Sequence, residues 1–160
     1  MPPQLLVDLS KIDFNKIQIP KEKIHLLNPQ RFEMDQLDGI FRIDFEEKFL
    51  VGYRDIRADE FWVKGHIPGR PLFPGILMIE CAAQLSSYYF KASLPPEQEN
   101  VFVGFGGVTD VKFRGTVNPG DRLIIMGKCV DIRSRRAVFA TQGIVKDQMV
   151  FEGTIIGMPV

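Results

Sequence analysis

Cysteine is scarce in this sequence. The only two in 160 residues, Cys81 and Cys129, lie in apolar stretches without a CxxC pair. Structural thiols in a reducing compartment are therefore expected, rather than a disulfide framework or a zinc site. Neither a metal nor a cofactor is expected. An excess of one charge is missing too: Lys+Arg and Asp+Glu both number 20. No global field favours nucleic acid, and an acidic partner would have to be met by a local patch. No stretch reaches the roughly 18 apolar residues that cross a bilayer. Met1 to Ser10 lacks the basic flank and apolar run of a secretion signal. A soluble, cytoplasmic protein without membrane insertion is the expectation. Internal repeats and low-complexity segments are also absent, and 45% apolar with 25% charged residues suits one domain with a real core.

The pattern of elements is legible in outline. Residues 1–23 mix Pro, Lys and Asp with scattered Ile and Leu and show no sustained period, so they read as an N-terminal extension strapped over a domain at 24–160. Asn28 to Asp38 is expected to form a short helix. Phe41, Ile43 and Phe45, then Phe49, Val51 and Tyr53, alternate as half-buried strands do. Ala58 to Pro74, with Gly65, Pro68, Gly69, Pro71 and Pro74, predicts a long ordered loop. Gly75 to Phe90 is apolar on nearly every face and follows a proline, which predicts a helix wrapped by the rest of the protein. From Val101 onward the pattern returns to strands, with alternation at Val111 and Phe113, Leu123 and Ile125, Ala137 to Val145, and Met149, Phe151 and Ile155. Turns fall at Asn118-Pro119-Gly120-Asp121 and Lys146-Asp147-Gln148. Two strands, an apolar helix and four more strands predict an α+β fold, an antiparallel sheet curled around a central helix.

Three features of this stretch carry chemistry. Glu80 and Gln84 stand four residues apart on one face of the apolar helix. Burial without a partner raises a carboxyl pKa toward neutrality, which suits a general acid. His66 sits in Gly65-His66-Ile67-Pro68-Gly69-Arg70-Pro71, where prolines stiffen the loop that presents the imidazole. Phe73-Pro74-Gly75-Ile76 opens the helix, and free N–H groups there can stabilise an oxyanion. Taken singly, each has a plain alternative: a solvated Glu80, an ordinary surface histidine, an ordinary helix start.

The run from His66 to Gln84, HIPGRPLFPGILMIECAAQ, resembles the signature of the bacterial (3R)-hydroxyacyl-[acyl carrier protein] dehydratases. It joins a histidine, a Gly-Arg-Pro loop, Phe-Pro-Gly, a glutamate fourteen residues after the histidine and a glutamine four further on. Leu27 to Asp44 is similar to the family's Leu-Pro-His-Arg segment. Val111-Lys112-Phe113-Arg114 and Asn118-Pro119-Gly120-Asp121 are similar to its Val-Lys-Phe-Arg and Pro-Gly-Asp pair, so the likeness spans roughly residues 24 to 156. Departures lie at Ile67 (usually Phe), at Gln30 (usually His), and at Glu33, Asp35, Gln36 and Gly39, where mostly apolar or basic residues are usual.

The resemblance implies a hotdog fold, a curved antiparallel sheet wrapped around a long central apolar helix. It implies dehydration of (3R)-3-hydroxyacyl-[acyl carrier protein] to the trans-2-enoyl thioester in fatty-acid biosynthesis. His66 is the implied base and Glu80 the implied acid, a glutamate here resembling the dehydratase-only branch. Gly75 and Ile76 would offer backbone N–H groups to the thioester oxygen, with Phe73, Pro74 and Gln84 in support. It further implies a homodimer with His and Glu of one site on different chains, assembling in some members as a trimer of dimers. The acidic carrier protein calls for a basic rim, for which Lys112, Arg114, Arg133, Arg135 and Arg136 are candidates. Two other readings stay open: a hotdog acyl thioesterase, and a non-catalytic module that binds acyl carriers.

Overall fold

The computed structural model describes residues 4–98 and 100–160. Seven strands form one antiparallel sheet: β1 (Ile19–Pro20), β2 (Gly39–Asp44), β3 (Phe49–Asp55), β4 (Val103–Phe113), β5 (Arg122–Arg133), β6 (Arg136–Val145) and β7 (Gln148–Pro159). Their order across the sheet is β1-β2-β3-β5-β6-β7-β4. The long helix α2 (Gly75–Ser93) lies on its concave face, and a single turn, α1 (Lys21–Ile24), follows β1.

Sequence explains the bounds of α2. Pro74 is extended (φ −61°, ψ 133°) and its carbonyl accepts from the N–H groups of Leu77 and Met78, while Pro95 and Pro96 stop the helix soon after Ser93. Leu77, Met78, Cys81, Ala82, Leu85, Tyr88, Tyr89 and Phe90 bury against Leu50, Leu123, Ile125, Phe139, Phe151 and Ile155 of the sheet. Close approach requires Gly52, where an added Cβ would meet Leu85 at 2.9 Å. A partly open stripe remains along Ile76, Ile79, Glu80, Ala83 and Ser87.

The N-terminal segment covers the sheet's other face. Val7 and Ile12 pack with Phe41, Val51, Tyr53, Met126 and Ile144, and Phe14 meets the Phe41 ring edge-on at 5.1 Å. Gln142 clasps this strap from β6: its Oε1 accepts from the Leu6 N–H at 2.9 Å and its Nε2 donates to the Gln4 carbonyl at 2.9 Å. Among the described residues no helix is long and apolar enough to cross a membrane.

Two details differ from the sequence reading. The helix expected at Asn28 to Asp38 does not form; one 3₁₀ turn, Phe32–Met34, is all that coils there. Its backbone groups bond outward instead: the Gln36 N–H donates to Gln84 Oε1, and the Met34 carbonyl accepts from Gln84 Nε2. Strand β4 runs from Val103 to Phe113, inside the stretch read as strand from Val101 onward, although Gly104, Gly106 and Gly107 and two register shifts hide its alternation before Val111. β1 is an addition that no period announced.

Candidate active site

Glu80 stands in the second turn of α2, half-buried, and Gln84 one turn later holds it. Gln84 Nε2 donates both to Glu80 Oε1 (2.8 Å) and to the Met34 carbonyl (2.7 Å), while its Oε1 accepts from the Gln36 N–H at 2.9 Å. All three partners fix the same amide orientation. Burial raises the Glu80 pKa above its ordinary value, and the Gln84 hydrogen bond opposes that rise without cancelling it. The clamp extends outward: Arg54, 2% exposed, donates to Gln36 Oε1 and pairs with Glu60. Asn28 Nδ2 donates to the Gln84 carbonyl at 2.9 Å.

A cavity of about 130 Å³ opens beside Glu80 between α2 and strands β4, β6 and β7. Gln30 reaches its wall, and the buried Oε1 of that side chain has no hydrogen-bond partner. Beyond Glu80 and Gln84 the wall is mostly apolar, with Ala83, Phe90, Val103, Phe139 and Ile155.

His66 is exposed in the loop between β3 and α2. Its N–H donates to the Trp62 carbonyl (2.8 Å), its carbonyl accepts from the Leu72 N–H (2.9 Å), and the Trp62 ring meets Phe73 edge-on at 5.4 Å. Nδ1 lies 2.8 Å from the Leu72 carbonyl oxygen, which can only accept. Nδ1 therefore carries a proton and donates it to this carbonyl, which fixes the ring with Nε2 as the other nitrogen.

Gly75 and Ile76 are the first two helical residues, and no side chain caps them. Their N–H groups have no intrahelical partner by geometry. The Phe113 ring lies so close to Gly75 that an added Cβ would stand 2.8 Å from it. Phe73 is anchored by its N–H to the Val117 carbonyl at 2.8 Å.

The predicted residues do not all line one cavity of the chain. His66 is not on the wall of the cavity that Glu80 lines. The five basic candidates divide as well: Lys112 and Arg114 flank Phe113 near the start of α2, with Arg114 paired to Glu152 at 2.6 Å. Arg133 lines a groove beside Ala92 and Leu94 at the other end of the helix, and Arg135 and Arg136 share its hairpin. Sequence reading missed Asn28, a buried loop amide that carries no periodic signal, and noted Gln36 only among the departures from a resembled pattern. Gln30 stood out only as a departure from a resembled pattern, and Phe90 only as the last of an apolar run.

Comparison with known proteins bears on the family and the fold. Residues 28–156 match the model of the FabA-like domain family. The chain is 32% identical over 130 residues to the 3-hydroxyacyl-[acyl-carrier-protein] dehydratase FabZ of Desulfotalea psychrophila, covering 81% of this chain and 86% of that one. The FabZ of Vibrio vulnificus is 35% identical over 125 residues, 78% of this chain and 81% of its own. Among solved structures, the dehydratase heterocomplex ApeI:P from Xenorhabdus doucetiae superposes with a TM-score of 0.71 at 13% identity, over 86% of this chain and 90% of that one. A hypothetical thioesterase with coenzyme A from Streptococcus pneumoniae superposes at 0.60 and 13% identity, over 87% and 95%. The fold is thus the α+β hotdog fold. Within it, the chain belongs to the FabA-like family, alongside the FabZ 3-hydroxyacyl-[acyl-carrier-protein] dehydratases.

Proposed function

We propose that this protein removes water from (3R)-3-hydroxyacyl thioesters borne by acyl carrier protein, giving the trans-2-enoyl thioester in fatty-acid biosynthesis. The observation that carries this reading is Glu80: a carboxyl with a raised pKa, clamped by Gln84 on the wall of a largely apolar cavity. Nε2 of His66 takes the C2 proton; the Gly75 N–H, with that of Ile76 beside it, holds the thioester oxygen as charge builds; Glu80 delivers a proton to the 3-hydroxyl, which leaves as water. Each proton-transfer group typically supplies about two to four orders of magnitude.

The complete site belongs to a homodimer, with His66 from one chain and Glu80 from the other. β4 supports this: it is an eleven-residue edge strand that exposes Phe105, Val108 and Phe113, and a second β4 would satisfy its unpaired backbone. The carrier docks on Lys112 and Arg114, at the helix end that holds Gly75; Arg133, Arg135 and Arg136 serve at best a second surface. Residues 24–160 form the catalytic domain, residues 1–23 its extension, and the protein works in the cytoplasm. The purified protein, given crotonyl-pantetheine, should form the 3-hydroxybutyryl thioester without releasing free thiol. Thiol release without hydration would make it a thioesterase, and neither product would make it a non-catalytic binding module.

A further inference from the structure

We propose that Phe90 closes the acyl cavity and confines the enzyme to short and medium acyl chains. The proposal rests on the dehydratase reading and adds to it the length of the substrate.

Glu80, Ala83, Gln84, Ser87 and Phe90 recur at intervals of three and four, share one face of α2 and line one cavity. Glu80 stands at one end of this row and Phe90 ten residues on, about 15 Å along the axis. Beyond Phe90 lies a second, open groove of about 710 Å³, walled by Tyr89, Leu94, Cys129 and Ile132 at the end of the helix. Among the described residues, Phe90 is the one that lines both. Its ring is 2% exposed. Phe139 on the first side and Tyr89 on the second meet edge to face at 5.4 Å, completing an aromatic partition.

The space before the partition is about 130 Å³. A cavity of ~150 Å³ accommodates benzene, so an alkyl tail of about six carbons fits and a tail of twice that length does not. Phe90 is thus a specificity-determining residue: its ring decides whether a tail stops beside Ser87 or runs through into the open groove.

The test is kcat/KM of the intact protein on (3R)-hydroxyacyl-pantetheine thioesters from butyryl through octanoyl and dodecanoyl to palmitoyl. The parent should lose at least about tenfold between the octanoyl and dodecanoyl substrates, the scale on which apolar pockets discriminate by size. Phe90→Ala should raise the dodecanoyl-to-butyryl ratio at least about tenfold, and Phe90→Leu, which keeps more of the buried volume and decides the matter should the alanine variant not fold, should raise it by a smaller factor. A parent profile flat to palmitoyl, or ratios unmoved in a folded variant, would overturn the proposal while leaving the dehydratase reading intact. No turnover of the butyryl substrate by the parent would overturn both.

Discussion

His66, Glu80 and Gln84 do different work, and single substitutions should separate them. His66 is exposed, and among the described residues its side chain makes one hydrogen bond, to the Leu72 carbonyl. His66→Ala should therefore leave less than a few per cent of activity while shifting the melting temperature by no more than a few degrees. Retained turnover would remove the imidazole from the reaction. Glu80 differs because burial lifts its pKa above the ordinary 4.5, so the folded protein keeps this proton to higher pH than the unfolded chain does. That contribution to stability is fully present below the unfolded value and is lost as pH rises through the folded one. Glu80→Gln never ionises and escapes the loss. It should be inactive, and its melting temperature relative to the parent's should climb from mildly acid to neutral pH; a flat or falling difference would mean that Glu80 is not desolvated. Gln84→Ala strands the Met34 carbonyl and the Gln36 N–H. At ~1–3 kcal/mol for each stranded group, about 3 kcal/mol and a drop near 10 °C are expected, together with slower turnover from a carboxyl no longer held in place.

Among the elements, α2 was the most legible from sequence, because a nearly unbroken apolar run after Pro74 has one outcome in a small domain. Strands β2, β3, β5, β6 and β7 were legible for the matching reason of alternation. What escaped was set by tertiary bonds: residues 28–38 take their shape from Gln84 and Arg54, not from their own propensities. Pairing to β7 likewise carried β4 across glycines that disfavour a strand. Glu80 and Gln84 were readable as a pair by their spacing, whereas the partition at Phe90 needed the cavities on both sides of it. The strap gives a prediction at this scale. Gln142→Ala removes both hydrogen bonds that clasp it to β6, so cleavage before Phe14 in limited proteolysis should quicken, stability should fall by about 1–2 kcal/mol, and dehydration should continue. Unchanged proteolysis would mean that Val7 and Ile12 anchor the strap alone.

In the whole molecule, one chain supplies a glutamate on a cavity wall and a histidine that is not on that wall. The proposed dimer, in which a second copy paired through β4 would supply what each lacks, is the central claim. Its most direct test mixes inactive His66→Ala chains with inactive Glu80→Gln chains, differently tagged, after subunit exchange verified by co-purification. Each mixed dimer then holds one site with both substitutions and one with neither. Equal amounts exchanged at random should recover about a quarter of the parent activity, since half the dimers are mixed and each has one good site of two. Mixed dimers that form and remain inactive would place the histidine and glutamate of each site on the same chain and contradict the shared site.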